Sequence, residues 1–333
     1  MTLAYEKIAV VGAGAWGTAL AQVAASAGRA VTLWAREAEL VQSVNTAHEN
    51  DIFLPGIALD KSIRATGDLR EAAEADALLM VTPAQHMRRV LEELAPHVAD
   101  GKPVVLCAKG VEQSTHLLLT EVLAEAMPRA MPAVLSGPSF AAEVARGLPT
   151  AVTLACEDEA VAEALTHAIG ITTFRPYYSS DLVGAELGGA VKNVLAIACG
   201  IVEGKKFGDS ARAALTTRGF AELTRLGLAM GARAETLMGL SGLGDLILTC
   251  NSTKSRNMSL GMALGEGKTL EEVMGARNSV SEGVHSATAV VALARKHKIE
   301  MPIAEAVAAI VTGAAKVDDA IAALLSRPFR SET

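Results

Sequence analysis

The chain has 333 residues and a formal net charge of −7, and half of its residues are hydrophobic but only 3% are aromatic. This length suggests about two domains, at roughly 100 to 200 residues each, and the excess of small aliphatic residues favours closely packed helices and parallel strands. The negative charge and the lack of a long Lys/Arg block argue against a nucleic-acid surface, which needs basic groups to neutralise phosphates.

Predicted strands alternate with helical periods through the first half of the chain. The strands are predicted at residues 8–11, 30–34, 63–66, 77–81, 104–108, 133–135 and 151–155. After Arg175-Pro176 the strand pattern fades, and helical segments follow at 181–202, 211–230 and 286–297. Alternation of this kind is typical of a mostly parallel sheet covered by helices. We therefore predict an α/β domain over residues 1–180 and an all-α domain over residues 181–333.

The cysteines and the most apolar segments indicate a reduced protein without a membrane span. Cys107, Cys156, Cys199 and Cys250 lie far apart in mostly apolar segments, without the paired spacings of zinc or redox sites. We therefore expect packing cysteines, no metal site and a cytoplasmic location. No signal-peptide pattern precedes the first predicted strand, and Lys192 and Asn193 interrupt the most apolar stretch, residues 188–202.

A glycine-rich turn follows the first predicted strand. Gly12, Gly14 and Gly17 form G-x-G-x-x-G directly after Ile8–Val11 and before a helix opening. The first glycine permits the tight turn, the second lets backbone approach a pyrophosphate, and the third lets helix pack on strand. The helix N-terminus then faces the negative charge. In this context the motif predicts a Rossmann-like dinucleotide-binding domain.

The second predicted strand, residues 30–34, ends where such domains contact the ribose of the cofactor. An acidic residue there favours NAD, and a basic residue accepts the 2′-phosphate of NADP. Arg36 occupies this position and is followed by Glu37. The sequence therefore favours NADP(H), with NAD(H) as an alternative cofactor and an ordinary surface arginine as the alternative role for Arg36.

Two lysines are candidates for proton transfer during reduction of a carbonyl, and no histidine has a clear acid-base context. Lys192 lies in the apolar run GGAVKNVL, where an ammonium costs free energy unless it faces a polar cleft. The alternative is a lysine that extends from a helix edge to solvent. Lys109 follows the strand 104–108, at the edge of the sheet where ligands of open α/β folds bind, although a plain loop lysine is equally typical there.

Further candidate ligands lie in polar stretches around the lysines. Residues 239–257 and 265–282 are rich in glycine and polar residues, and we predict that they line a cleft. Asp245 could hold a lysine or a substrate hydroxyl, or could serve only as a helix cap. Ser255-Arg256-Asn257 opens a predicted helix and could form a phosphate cradle, or a solvated surface. Ser136-Gly137-Pro138-Ser139 follows a strand and could donate hydrogen bonds to a substrate.

Several of these motifs together resemble the bacterial NAD(P)-dependent sn-glycerol-3-phosphate dehydrogenases. The resemblance rests on GAGAWGTAL at residues 12–20, Lys109-Gly110, SGPS at 136–139, GAVKN at 189–193 and GDL at 244–246. It implies a soluble enzyme that reversibly reduces dihydroxyacetone phosphate to sn-glycerol 3-phosphate for glycerophospholipid synthesis, with Lys192 transferring the proton.

The resemblance also implies a set of contacts for each ligand. The implied substrate contacts are Lys109, Gly137, Ser139, Lys192, Asp245, Ser255, Arg256 and Asn257, and the implied cofactor contacts beyond the glycines are Trp16, Arg36, Lys109, Ala141, Arg256, Val280 and Glu282. We expect a homodimer formed through the helical domains. A hydroxyacid dehydrogenase or ketoacid reductase, and a redox sensor that binds the same nucleotide, are the competing hypotheses.

Overall fold

The computed structural model describes residues 4–275, 282–329 and 331. Within them, eight strands form one sheet: β1 (Lys7–Val11), β2 (Ala30–Trp34), β3 (Arg64–Thr66), β4 (Ala77–Met80), β5 (Pro103–Leu106), β6 (Met131–Ser136), β7 (Thr150–Ala155) and β8 (Phe174–Ser179). The order is β3-β2-β1-β4-β5-β6-β7-β8, and β6 pairs antiparallel with β7 while the other neighbours are parallel. The first six strands have the order of a doubly wound dinucleotide-binding sheet, which confirms the predicted α/β fold.

The last strand, β8, is absent from the sequence-based prediction, which ends the strand pattern around Pro176. The amide of Thr150 donates to Thr173 O at 2.8 Å, and that of Cys156 donates to Ser179 O at 2.9 Å. Because backbone groups alternate along a strand, odd-numbered residues of β8 bond to β7 and Pro176 faces the open edge of the sheet. Proline has no N–H to contribute there, so an edge strand tolerates it.

Helices cover the sheet and then form the rest of the chain. The helices that accompany the strands are α1 (Ala15–Ser26), α2 (Ala38–Thr46), α3 (Leu69–Ala73), α4 (Ala84–Leu94), α5 (Leu119–Ala126), α6 (Ala141–Ala145) and α7 (Glu159–Ile169). The later helices are α8 (Leu182–Gly204), α9 (Asp209–Ala229), α10 (Ala234–Met238), α11 (Asp245–Cys250), α12 (Arg256–Gly265), α13 (Leu270–Gly275), α14 (Glu282–Lys296), α15 (Pro302–Val311) and α16 (Val317–Leu325). The sheet ends at Ser179 and α8 begins at Leu182; the division into two domains at residue 180 stays a prediction.

The polar stretch 239–257 contains more helix than its composition suggests. A π-helical turn, Leu240–Gly244, leads directly into α11, and α12 begins at Arg256. A Cβ on Gly242 would lie 1.9 Å from Leu237 O, so the tight turn requires glycine there. Glycines in this stretch therefore permit close backbone packing, whereas composition alone indicates a loop.

The long helix α8 forms the centre of the helical half. It packs on α12 at backbone distance: a Cβ on Gly200 would lie 2.1 Å from Met258 O, and one on Gly261 would lie 2.0 Å from Ile197 O. Side chains at these glycines would separate the two helices. This contact brings the start of α12 beside the middle of α8, where Lys192 lies.

By length and composition, α8 is the one described helix that could cross a membrane. In the structure, 94% of the most apolar 18-residue stretch of α8 is buried inside the protein, as is typical of the core helix of a folded protein.

Candidate active site

The three glycines of the fingerprint have different surroundings. Gly12 has a φ of +117°, and a Cβ there would lie 2.9 Å from Thr82 N. A Cβ on Gly17 would lie 1.8 Å from Gly12 O, whereas a Cβ on Gly14 would meet nothing within 4 Å. Gly12 and Gly17 are therefore required by packing, and the open space at Gly14 fits the close approach of a pyrophosphate to the start of α1.

Two side chains beside this turn support the same conclusion. The indole N–H of Trp16 is buried and has no hydrogen-bond partner within the described residues. Buried donors normally have a partner, so this N–H fits a hydrogen bond to a bound ligand. Asn50, which the sequence does not single out, is buried and donates to Ala13 O at 2.9 Å and to Thr18 Oγ1 at 2.6 Å. These two hydrogen bonds stabilise the glycine turn. The chain around this turn thus fits a bound dinucleotide.

Arg36 lies where the sequence predicts, just beyond the carboxyl end of β2. Its guanidinium donates from Nη2 and Nε to Glu37 Oε1, at 2.8 and 3.1 Å, and its side chain is 73% exposed. A 2′-phosphate bound there would compete with Glu37 for the same guanidinium.

Three charged groups from separate elements meet at the carboxyl end of the sheet. Lys192 Nζ, on α8, lies 2.8 Å from Asp245 Oδ1, and Lys109 Nζ, after β5, lies 2.6 Å from Asp245 Oδ2. Asp245 is the first residue of α11 and its side chain is 1% exposed. The structure therefore brings the three predicted catalytic residues together, with one carboxylate between two ammonium groups.

The surroundings shift the pKa of two members of this triad. Burial lowers the pKa of Lys192 to about 8, and the charge of Lys109 acts in the same direction while that of Asp245 opposes it. Burial alone would raise the pKa of Asp245, but the charges of Lys109 and Lys192 lower it. Near neutral pH, Lys192 can thus hold a proton that it loses readily, which is the property required of a general acid.

Thr249, which no sequence motif indicates, adjoins the cluster of Lys109, Lys192 and Asp245. Lys192 Nζ donates to Thr249 Oγ1 at 2.9 Å, and Thr249 Oγ1 donates to Asp245 O at 2.7 Å. Thr249 lies one helical turn after Asp245 on α11, and this spacing is the only signal that could have pointed to it. It gives the ammonium of Lys192 a second fixed partner.

The SGPS segment after β6 contacts Lys109. Lys109 Nζ donates to Gly137 O at 2.9 Å, and Ser139 Oγ donates to the same oxygen at 3.1 Å. Gly137 has a φ of +151°, and a Cβ there would lie 2.9 Å from Val152 Cα, so glycine is required. Ala141 opens α6 two residues after Ser139.

The start of α12 lies against α8. Ser255 caps α12, since its Oγ accepts from Met258 N at 3.2 Å. Asn257 Nδ2 donates to Asn193 Oδ1 at 2.9 Å, and Gly283 N donates to Asn257 Oδ1 at 3.1 Å. The Ser255 and Asn257 side chains thus have hydrogen-bond partners within the protein.

Glu282 begins α14 beside this cluster. Burial raises its pKa, against the opposing charges of Arg256, Lys192 and Lys109. Val280, an expected cofactor contact, lies outside the described residues. Within the described ranges, no group of three or more His, Cys, Asp or Glu side chains is arranged to hold a metal ion.

Comparison with known proteins places the chain in a family. Residues 7–162 and 181–322 match the N-terminal and C-terminal models of NAD-dependent glycerol-3-phosphate dehydrogenase. The chain is 92% identical to a glycerol-3-phosphate dehydrogenase (NAD(P)+) of Parvibaculum lavamentivorans over 100% of both chains. It is 64% identical to one of Caulobacter vibrioides, over 99% of this chain and 100% of the relative.

A solved structure agrees with these sequence matches. The crystal structure of glycerol-3-phosphate dehydrogenase from Coxiella burnetii superimposes with a TM-score of 0.92, at 41% identity, over 97% of this chain and 99% of that one. The resemblance predicted from the motifs is thereby confirmed. The chain belongs to the NAD-dependent glycerol-3-phosphate dehydrogenase family.

Proposed function

We propose that this oxidoreductase reversibly reduces dihydroxyacetone phosphate to sn-glycerol 3-phosphate with NAD(P)H and supplies glycerophospholipid synthesis. The observation that carries the proposal is the buried contact of Lys192 and Lys109 with the single carboxylate of Asp245. A carbonyl that accepts a hydride needs a proton on its oxygen, and this cluster holds an ammonium ready to supply one.

Each residue of the cluster has a different role in the proposed reaction. The bound cofactor supplies the hydride. Lys192 donates a proton to the C2 oxygen of the substrate and takes it back in the reverse reaction. Asp245 keeps both ammonium groups in place, Thr249 fixes the direction of the Lys192 ammonium, and Lys109 contacts the substrate beside it.

The other predicted contacts bind and orient the two ligands. Gly137 and Ser139 lie beside Lys109, and Ser255, Arg256 and Asn257 lie at the start of α12, where a phosphate would be bound away from the reacting carbon. Remote binding of this kind contributes to catalysis by holding the carbonyl in position. The proposed cofactor contacts are Gly12, Gly14, Trp16, Gly17, Arg36, Lys109, Ala141, Arg256, Val280 and Glu282.

The proposal is tested by oxidation of NADPH or NADH at 340 nm with dihydroxyacetone phosphate, in competition with phosphate-free 2-ketoacids. We expect rapid oxidation with the phosphate ketone alone. Faster turnover of the ketoacids would support a ketoacid reductase instead, and binding of the cofactor without turnover of either substrate would support a redox sensor.

The pH dependence of the two directions follows from the lowered pKa of Lys192. Because the ammonium is lost near pH 8, we expect kcat for ketone reduction to fall as the pH rises through about 8. Oxidation of glycerol 3-phosphate needs the neutral amine, so its kcat should rise over the same interval. Saturating kinetics from about pH 6 to about pH 10 measure both, and a reduction rate that stays flat across this range would contradict the role of Lys192.

For the cofactor, we propose that NADP(H) is favoured and NAD(H) is also used. Arg36→Ala removes a charge-assisted contact of about 1.5 to 3 kcal/mol, so we expect KM for NADPH to rise at least tenfold and KM for NADH to stay within about twofold. Arg89→Ala, at an exposed pair with Glu93 on α4, is the matched control. Equal effects of Arg36→Ala on both cofactors would show that Arg36 does not contact the 2′-phosphate.

We also propose a cytoplasmic homodimer formed through the helical half. Large apolar side chains are exposed there, among them Phe207, Leu228 and Met238, at 49%, 52% and 57%. Exposed apolar groups of this size favour burial against a second copy. Light scattering at several concentrations measures the mass directly, and a monomer at all of them would contradict the proposal.

A further inference from the structure

Glu186 is a buried carboxylate that the proposed mechanism does not use. It lies on α8, six residues before Lys192, and is 3% exposed. It accepts hydrogen bonds from Leu119 N, from Thr120 N at 3.2 Å and from Thr120 Oγ1 at 2.7 Å. These donors form the start of α5, which packs on the nucleotide-binding sheet. Glu186 therefore joins the helix that carries Lys192 to the other half of the molecule.

The same face of α8 contacts the loops at the carboxyl end of the sheet. Gly189 and Asn193 follow Glu186 at spacings of three and seven residues, which places all three on one side of the helix. A Cβ on Gly189 would lie 3.2 Å from Lys109 Cγ, and Asn193 Nδ2 donates to Lys109 O at 3.5 Å. The face that carries Glu186 is thus the one that meets Lys109.

Capping α5 does not by itself explain a carboxylate at this depth. α7 is capped by Asp158, the exposed residue directly before it, at little desolvation cost. Burial raises the pKa of Glu186 to about 7, and Glu121 on the same turn of α5 acts in the same direction, while the donors from Leu119 and Thr120 lower it. The cap of α5 thus comes from a side chain of the distant helix α8, and burying that carboxylate has a desolvation cost. This arrangement indicates that Glu186 docks the two halves of the molecule on each other.

We propose that Glu186 is a positioning residue for the proposed reaction. By holding α8 on α5, it sets the distance between Lys192 and Lys109, so that both ammonium groups reach the carboxylate of Asp245. This inference rests on the proposed function. It makes the docking of α8 a requirement for turnover and not only for stability.

The chain offers a matched control in Glu222. Glu222, on α9, is also buried, and its carboxylate accepts from Ile303 N at 2.9 Å and from Ala304 N at 3.3 Å, at the start of α15. Burial raises its pKa to about 7 as well. Both of the helices that it joins belong to the helical half, so Glu222→Gln weakens a comparable cap without touching the docking of α8 on α5.

The experiment compares Glu186→Gln with Glu222→Gln in the full-length protein. We expect Glu186→Gln to lower kcat for reduction of dihydroxyacetone phosphate about 10- to 100-fold, because small misplacements of reacting groups have effects of this size, with Kd for NADPH within about twofold. Glu222→Gln should lower Tm and leave kcat within about twofold. Equal values of kcat in the two variants would overturn the proposal.

Two further measurements cover the remaining outcomes. If Glu186→Gln does not fold, Thr120→Val removes one donor to the same carboxylate and should lower kcat severalfold; an unchanged kcat there would count against the proposal. If the wild type does not reduce the phosphate ketone, the proposed function fails by itself. Hydrogen exchange over residues 186–193 then decides the docking role, with faster exchange expected in Glu186→Gln than in Glu222→Gln and equal exchange refuting it.

Discussion

Replacing Lys192 with alanine is expected to lower kcat about 10²- to 10⁴-fold, the usual cost of losing a general acid, while NADPH still binds. The ammonium of Lys192 is buried, and Asp245 and Thr249 both hold it in place. Steady-state kinetics give kcat, and the fluorescence of bound NADPH gives Kd. Together they separate loss of chemistry from loss of binding.

The control for this variant is Lys205→Ala. Lys205 follows the last residue of the same helix and pairs with Asp318, away from the site. Its loss should leave kcat unchanged. Small primary amines added to Lys192→Ala should restore part of the rate, because they can occupy the space of the missing side chain and carry a proton. A kcat near that of the wild type in Lys192→Ala would remove Lys192 from the mechanism.

Replacing Asp245 with asparagine is expected to impair both stability and turnover. The change leaves the buried ammonium of Lys192 and the partly buried ammonium of Lys109 without their carboxylate, and breaking a buried pair in this way costs about 3 to 5 kcal/mol of unfolding free energy. Because the charge of Asp245 raises the pKa of Lys192, its removal should lower that pKa further below about 8. The pH at which ketone reduction is lost should move down accordingly, and kcat at neutral pH should fall.

Asp158→Asn provides the comparison for Asp245→Asn. Asp158 caps α7, where its carboxylate accepts from Val161 N at 3.1 Å, and its loss should change stability by about 1 kcal/mol at most without affecting kcat. Denaturant unfolding and a pH series of kcat measure both effects. If Asp245→Asn kept the wild-type pH dependence, the carboxylate would not set the protonation of Lys192.

The glycine fingerprint and the cap of α12 are local features, and both could be predicted. Gly12, Gly14 and Gly17 lie within six residues, and their roles depend on the turn that joins β1 to α1. Ser255 caps its own helix. Patterns of this kind depend on neighbours along the chain, so the sequence alone contains them.

Residues that act across long separations could not be found in the same way. Thr249 contacts Lys192 across 57 positions, Asn50 contacts Ala13 across 37, and Glu186 contacts Leu119 across 67. Nothing local distinguishes these side chains from ordinary polar residues. The strand β8 was missed for a related reason, since Pro176 is tolerated only because it faces the open edge of the sheet.

The sequence by itself determined the fold class, because the alternation of strands and helices and the glycine turn depend on residue type and short-range order. It also offered Lys109, Lys192 and Asp245 as candidate site residues, through the resemblance of their motifs to a known family. Only the tertiary structure decided that Lys109, Lys192 and Asp245 form one buried cluster, and that this burial lowers the pKa of Lys192. Three elements that are separated in sequence meet there. The free energy of a charged group, and of its interaction with other charges, depends on how much water the folded chain leaves around it.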